Sequence, residues 1–415
     1  MAQINQYINF SSGESLPFTF TKDETCVDVD TNIDNIIEQL NNNLTSPRFK
    51  ILVLYPDETI NYEIPLDDIQ IGGSYSENYQ NGQRRSLSFT LYNESGKYTP
   101  DINTLTGTRL RLEMGLNLID NTTIFSKGIY VINKLTPNYT SSGKTLQISA
   151  SDKFSLFEDS TGKLDVTYEI EAGSNIEEVI KTILLTDMGN GFPLDSRPII
   201  YHSSLKNKTT QCVISKSPGD SYGSILLDLA TQLSAEIFYN AQGYLTILPI
   251  NDVTNDSDKT LIYNFNTSKG DISQLDFNFD MNTIVNKIIV IGSSANGGVY
   301  RSEALNDDIS SPLCYQRIGY RLGNVINDSN ITSNVLAEER AKYELRQQLV
   351  IKSSTTASVL FNPLLEVNNL ITITDEFFNL NYERFLIQSV SCSLDFSGTT
   401  SITFSNLRNL PFVVK

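Results

Sequence analysis

The sequence predicts an α+β protein that is mainly β, with two β domains flanking a small α/β module. Three observations carry this reading. Most of the chain alternates apolar and polar residues with the two-residue period of a strand, in segments rich in Ile, Val, Thr, Tyr and Phe. The few segments with helical period are not interleaved with the strands, as a doubly wound parallel sheet would require. A pattern of strand, loop, long strand, Ser-Gly turn and strand occurs twice, at an offset of about 255 to 260 residues.

The elements follow in chain order. TNIDNIIEQLNNNL (31–44) sets Ile33, Ile36, Ile37, Leu40 and Leu44 on one helical face. KILVLYP (50–56) reads as the first strand. In RSLSFTL (85–91), Ser86, Ser88 and Thr90 alternate with Leu87, Phe89 and Leu91. A loop punctuated by Gly96, Tyr98, Pro100 and Gly107 leads to LRLEM (110–114), where Arg109, Arg111 and Glu113 alternate with Leu110, Leu112 and Met114. GIYVINKL (128–135) and TLQISAS (145–151) continue the strands.

Two helices then mark the α/β module. In GSNIEEVIKTILLTD (173–187), Ser174 and Glu177 have capping-box spacing, and Ile176, Val179, Ile180, Ile183 and Leu184 form the apolar stripe. GDSYGSILLDLATQLSA (219–235) does the same with Tyr222, Ile225, Leu226, Leu229 and Leu233. EIFYN (236–240) and YLTILP (244–249) make a hairpin. NKIIVIG (286–292), a helix at 333–349, TASVLF (356–361), LITIT (370–374) and FLIQSVSCSL (385–394) complete the chain. The expected division is an N-terminal segment (1–45), a first β domain (46–158), the α/β module (159–280) and a second β domain (281–415). A chain of 415 residues is too long for one ordinary core, which suits such a division.

The repeat pairs TGTRLRLEMG and FSKGIYVINKLTPNYTSSGKTLQISAS with EVNNLITITD and YERFLIQSVSCSLDFSGTTSITFS. Its turns hold Ser142-Gly143 and Ser397-Gly398. LRLEM and LITIT have no evident partner inside their own short meanders, so both are expected to leave open edges.

Composition narrows the function. Net charge is −17, and an acidic surface repels nucleic acid, so no specific nucleic-acid binding is expected. The start, MAQINQYINFSSGES, has no basic n-region and no apolar h-region, and no run approaches the roughly 18 apolar residues of a membrane span. No membrane anchor is expected, and the chain reads as soluble and made in the cytoplasm. Cys26, Cys212, Cys314 and Cys392 are far apart with no C-x-x-C pair, so they read as isolated buried thiols with neither zinc nor a disulfide framework.

The motifs that carry chemistry are incomplete. NKIIVIGSSANGGVY (286–300) matches the first half of a phosphate loop, but Gly298 and Val299 stand where Lys and Ser/Thr must be, so it reads as a glycine-rich hairpin. Gly219-Asp220-Ser221 resembles a hydrolase nucleophile motif. A serine nucleophile needs a base, and His202, the one histidine in the chain, lies upstream without a matching Asp-x-x-His block. Asp220 and Ser221 are better read as helix N-caps. No catalytic residue, metal ligand or cofactor site is assigned. The best basic cluster is Arg84, Arg85, Arg109 and Arg111. Arg109 and Arg111 flank Glu113 on one strand face and read as cross-strand or inter-subunit ion-pair partners rather than as a phosphate site.

R-x-L-x-F-T-L-x-N-x-x-G-x-Y-x-P (Arg85, Leu87, Phe89, Thr90, Leu91, Asn93, Gly96, Tyr98, Pro100), followed by a strand and then by Gly128-Ile129-Tyr130-Val131, resembles the baseplate hub and tail-tip proteins of tailed bacteriophages and related contractile injection systems. ISASDKFSLFE (148–158) resembles the segment that closes the family's first domain. SYGSILLDLATQLSAEIFYNAQGYLTILP (221–249) resembles its helix–strand–turn–strand module. VNKIIVIG and NPLLEVNNL leading into ITIT resemble its second β domain. The likeness spans most of residues 45 to 410 through ordered succession rather than one specific motif. The helix at 31–44 matches nothing in it.

The resemblance implies two related tube-type β-barrel domains flanking the α/β module, in a homotrimeric ring. Three chains with two equivalent barrels meet a six-fold tail tube above and a three-fold spike below. It further implies a virion tail baseplate location and a structural role without enzymatic activity or cofactor. The implied partners are further copies of the chain, the tail tube proteins, the spike or tail-tip protein and the tape measure protein. An acidic lumen would let DNA or protein cargo pass without adhering. Arg109, Arg111 and Glu113 would lie at or near a subunit boundary. Two other classes compete. A host-surface carbohydrate-binding adhesin predicts an exposed aromatic groove. A wall hydrolase predicts a working carboxylate pair among the 48 acidic residues.

Overall fold

The computed structural model describes residues 4–9, 15–20, 46–101, 108–117, 122–141, 143–187, 189, 192–233, 235–249, 261–277, 284–293, 299–328, 331, 333–352, 354–395 and 398–406. The helix expected at 31–44, Cys26, Ser142 and Ser397 lie outside the described residues.

β1 (Ile4–Asn9) and β2 (Ser15–Phe20) pair as a hairpin. A first strand group follows: β3 (Pro47–Leu54), β4 (Ile60–Glu63), β5 (Ile69–Asn78), β6 (Arg85–Tyr92), β7 (Arg109–Asn117), β8 (Thr122–Thr140) and β9 (Gly143–Asp152). Alternation decides which side chains face inward. In β7, Leu110, Leu112 and Met114 enter the core, while Arg109, Arg111 and Glu113 share the opposite face and are half-buried.

The chain then forms α1 (Ser155–Glu158), β10 (Tyr168–Ile170), α2 (Ile176–Leu184), β11 (Ile200–Tyr201), β12 (Ile214–Lys216), α3 (Tyr222–Gln232), β13 (Ala235–Tyr239) and β14 (Leu245–Pro249). Ile180 and Ile183 of α2 and Ile225 and Leu229 of α3 pack with Phe157, Ile237 and Ile247 in one apolar core. The capping box expected at Ser174 and Glu177 is not formed. Asn175 is the N-cap, its side-chain oxygen accepting from Glu178 N at 3.2 Å, and Ser174 N instead donates to Thr210 Oγ1. Asn serves as well as Ser at this position, so the adjacent long-range bond to Thr210 decides the choice.

The last stretch holds β15 (Leu261–Asn266), β16 (Ile272–Phe277), β17 (Lys287–Ser293), β18 (Val299–Leu305), α4 (Tyr315–Ile318), β19 (Ile326–Asp328), α5 (Asn334–Lys352), β20 (Ser354–Leu360), β21 (Leu370–Asp375), β22 (Leu380–Leu394) and β23 (Thr399–Asn406). Ala337, Ala341 and Leu345, one turn apart on α5, pack on Ile288 and Val290 of β17 and Ala304 of β18. This satellite is inserted between β16 and β20. The glycine-rich segment is the hairpin expected: Ser293 pairs with Val299 and Gly292 with Tyr300.

The first group pairs in the order β4-β3-β7-β8-β9-β6-β5, antiparallel throughout. The second pairs in the order β15-β21-β22-β23-β20-β16, antiparallel except at β15–β21. Hence β7-β8-β9-β6-β5 and β21-β22-β23-β20-β16 share both order and strand direction. Their irregularities coincide as well. The register of β8 against β9 shifts between Ile132 and Lys134, and that of β22 against β23 between Ile387 and Ser389. Gly143 and Gly398, in the corresponding turns, have φ of 149° and 72°.

The two groups are joined edge to edge. The C-terminal half of β22 pairs with β5 from Ser389–Asn78 to Leu394–Gly73, giving one 13-stranded sheet over a continuous core that includes Phe89, Leu112, Phe265, Ile373 and Phe404. Gly73 is required at this seam. A Cβ there would lie 2.8 Å from Ser88 O and 2.9 Å from Phe89 Cβ. Among the described residues the sheet does not close into a barrel, because β4, β15 and β16 each have one strand partner.

The expectation of open edges at LRLEM and LITIT is corrected. β7 lies between β3 and β8, and β21 lies between β15 and β22. In each case the missing neighbour comes from a strand remote in sequence, which a local reading of the meander does not reach.

Candidate functional site

A buried ionic network occupies the junction between the first strand group, the α/β module and the second group. It starts at ISASDKFSLFE, where β9 gives way to α1. Asp152 Oδ2 accepts from the backbone N–H groups of Arg84 (2.7 Å) and Arg85 (2.9 Å), and its Oδ1 accepts from Phe154 N (3.0 Å). Burial raises the Asp152 pKa against these donors.

Lys153, next in the chain, is 0% exposed. Its Nζ lies 2.6 Å from the Glu58 carboxylate and 2.7 Å from Asp195 Oδ2, and it donates to Gly243 O at 3.1 Å. Glu58 sits in the β3–β4 turn at φ 66° and also receives Arg109 and Arg197. Tyr239 Oη donates to Asp195 Oδ2 at 2.7 Å. Burial lowers the Lys153 pKa, and Asp195 and Glu58 oppose that shift. Three cations and two carboxylates thus hold the β3–β4 turn, β7, β9 and the α/β module together.

The tip of the β5–β6 hairpin carries the second part. Arg84 Nη2 donates to Glu236 Oε2 at 2.9 Å, and its guanidinium lies 3.6 Å from the Phe238 ring centroid. Tyr79 Oη and Asn368 Nδ2 also donate to Glu236, each at 2.9 Å. One carboxylate of β13 therefore binds groups from both strand groups.

Arg85 pairs with Glu77 in the interior and approaches Glu366 at 4.0 Å, and Lys127 reaches Glu366 at 3.2 Å. Burial acts against the Arg85 charge. Glu77, Tyr75, Glu366 and Tyr130 around it together outweigh that and hold the guanidinium pKa above its ordinary value.

Of the basic cluster read from sequence, Arg84, Arg85 and Arg109 are engaged by carboxylates of the same chain. Arg111 and Glu113 accompany Arg109 on the half-buried face of β7. The acidic partners were not singled out from sequence. Lys153 was legible only as part of ISASDKFSLFE, where it stands between Asp152 and Phe154 with nothing to mark its burial. Glu58, Asp195 and Glu236 sit among ordinary turn and strand residues and carry none.

The residues weighed for catalysis are used locally. Ser221 caps α3, its Oγ accepting from Ser224 N at 3.1 Å, while Asp220 Oδ2 accepts from Ser217 N at 2.8 Å and closes the preceding turn. His202 is buried; its Nδ1 accepts from Ser204 N at 3.2 Å and lies 2.7 Å from Ser204 Oγ. Cys314 and Cys392 are buried free thiols and Cys212 is half-buried; burial pushes the Cys392 pKa to about 12. Among the described residues no group of three or more His, Cys, Asp or Glu is arranged to hold a metal ion, and no helix is long and apolar enough to cross a membrane.

The fold itself is that of phage tail proteins. The 43 kDa tail protein of prophage MuSo2 from Shewanella oneidensis superposes with a TM-score of 0.58 at 16% identity, over 88% of this chain and 100% of that one. A tail protein from Neisseria meningitidis gives a TM-score of 0.59 at 12% identity, over 86% and 96%. A chain of the half-lidded Francisella PdpA–VgrG complex gives 0.50 at 9% identity, over 96% of this chain and 67% of that one. No protein-family model matches the sequence, and no curated protein matches it.

Proposed function

We propose that the chain is a structural hub subunit of a phage tail or related injection particle, positioned in the baseplate between tail tube and spike or tail tip. The observation that carries the reading is the duplicated strand order, β7-β8-β9-β6-β5 and β21-β22-β23-β20-β16, in a chain with the tail-protein fold. Two like groups per chain let a three-fold ring offer six like surfaces to a tube and three to a spike. In this reading each group completes a tube-type barrel wall only in the ring. The units are those expected from sequence (1–45, 46–158, 159–280 and 281–415), with β15 and β16 joining the wall of the second.

The face of Arg111 and Glu113 on β7 turns toward a subunit boundary, with Arg109 tied to Glu58 inside the chain. The partners are two further copies, the tail tube proteins, the spike or tail-tip protein and the tape measure protein. The VgrG-containing complex among the similar structures supports a spike-type partner. The role is structural rather than enzymatic, because Ser221 and His202 are committed to local capping.

A reconstruction of the assembled particle tests this. Three copies per particle, with the two strand groups alternating around the ring, are expected; six or twelve copies would overturn it. Hydrolysis of peptidoglycan by the purified chain would overturn the structural assignment.

A further inference from the structure

We propose that Lys153 and Asp195 join in an amide cross-link, formed inside the folded chain with loss of one water. The bond needs only the folded chain, so it stands independently of the ring.

The groups are assembled as such a condensation requires. Lys153 Nζ is buried and lies 2.7 Å from Asp195 Oδ2, with the carboxyl carbon one C–O bond further on. Glu58 at 2.6 Å and Gly243 O at 3.1 Å hold the amine from two other sides. Burial lowers the lysine pKa, which favours the neutral, nucleophilic amine.

Two carboxylates face the amine, and their other partners separate their roles. An acid that condenses with an amine gives up its negative charge. At Glu58 that would strand two guanidiniums, Arg109 and Arg197, each 2.5 Å away. At Asp195 the other donors are neutral: Tyr239 Oη on Oδ2 at 2.7 Å and Arg197 N on Oδ1 at 3.0 Å. Asp195 is therefore the electrophile and Glu58 the proton carrier.

The step balances within the site. One proton of the lysine ammonium passes to Asp195 Oδ2, leaving an amine and a carboxylic acid. The Nζ lone pair then attacks Asp195 Cγ, and charge develops on Oδ1, which faces the Arg197 N–H. Glu58 takes a second proton from nitrogen and returns it to Oδ2. The Cγ–Oδ2 bond breaks, water leaves, and the third proton stays on the amide nitrogen. One cation and one anion disappear together, so the net charge of the site is unchanged.

In water the hydration of the two ions opposes such a condensation. Here that hydration is already lost, and a neutral amide carries less of the cost of burial. Contact between the groups also removes the entropy of bringing them together. The ion pair is the state before the bond forms, and the amide keeps the same tie between the end of β9 and the α/β module.

The test is the intact mass of the full-length protein, held folded at neutral pH, beside Lys153→Arg and Asp195→Ala. Wild type should fall short of its sequence mass by one water, and neither variant should. A tryptic digest of wild type should give a branched peptide joining Lys153 to Asp195, identified by fragmentation. Asp195→Asn should close the same bond with loss of ammonia. In Glu58→Gln, checked for fold by circular dichroism, the linked species should appear roughly 100-fold more slowly in freshly synthesised chain. An unchanged rate there would overturn the proton-carrier role. Wild type that keeps its full mass after prolonged folded incubation, or a lost water that maps elsewhere, would overturn the cross-link. That reading is taken on wild type, so it holds even where a variant fails to fold.

Discussion

Lys153 Nζ lies 2.6 Å from the Glu58 carboxylate, and both side chains are withdrawn from solvent. The pair ties the end of β9 to the β3–β4 turn, with Asp195 of the α/β module as the third member. Removing the lysine leaves the carboxylates with less compensating charge in a low-dielectric site. Lys153→Met should therefore lower unfolding stability by about 3 kcal/mol, the cost of breaking a buried pair from one side. Urea unfolding measures it, and an unchanged midpoint would mean that the network does not hold the junction.

Gly143 and Gly398 should behave alike. Both have positive φ, and a Cβ at Gly143 would also strike the Glu94 carboxylate, which accepts from Lys144 N. Gly143→Val and Gly398→Val should each cost on the order of 1–3 kcal/mol. Thermal melts of the two variants should fall together; a fall in only one would refute the equivalence of the turns, and wild-type melting in both would refute the turn assignment itself.

Ser221 separates a cap from a nucleophile. Ser221→Ala should cost about 1 kcal/mol by leaving an N–H of the first turn of α3 unsatisfied, and Ser221→Asp should restore most of it. Aspartate caps a helix but cannot replace a serine nucleophile. If Ser221→Asp is no more stable than Ser221→Ala, the cap is not what the side chain contributes.

Asp68 gives an acid-side prediction. Its carboxylate accepts from Lys97 Nζ at 2.8 Å and from Tyr98 Oη, and these bonds hold its pKa below the ordinary 3.8. A depressed carboxylate contributes stability that is present above its ordinary value and lost as pH falls through the folded one. Wild type should thus exceed Asp68→Asn in stability at neutral pH, and the gap should narrow below about pH 4. A gap that widens toward acid would reverse the assigned sign.

What the sequence determined was local. Period-two alternation located β3, β7, β8, β9 and β20 to β22, because alternate residues of each turn to the core, and the two Ser-Gly turns exposed the repeat. Helical stripes located α2, α3 and α5 for the same reason. The resemblance pointed to the tail-protein fold through the succession of these elements.

Tertiary structure decided the rest. β5 escaped notice because Gly72 and Gly73 interrupt its pattern, yet Gly73 is where Leu394 closes the seam. The partners of β7 and β21 come from distant segments, so no local reading could say which strands are edges. The Arg109, Arg111 and Glu113 alternation was legible, but that Glu58 holds Arg109 was not, since a carboxylate 51 positions away reaches it only after β3 has paired with β7. Periodicity reports which face of an element avoids water. Which charges meet depends on pairings between segments remote in the chain, and those exist only once the sheet has formed.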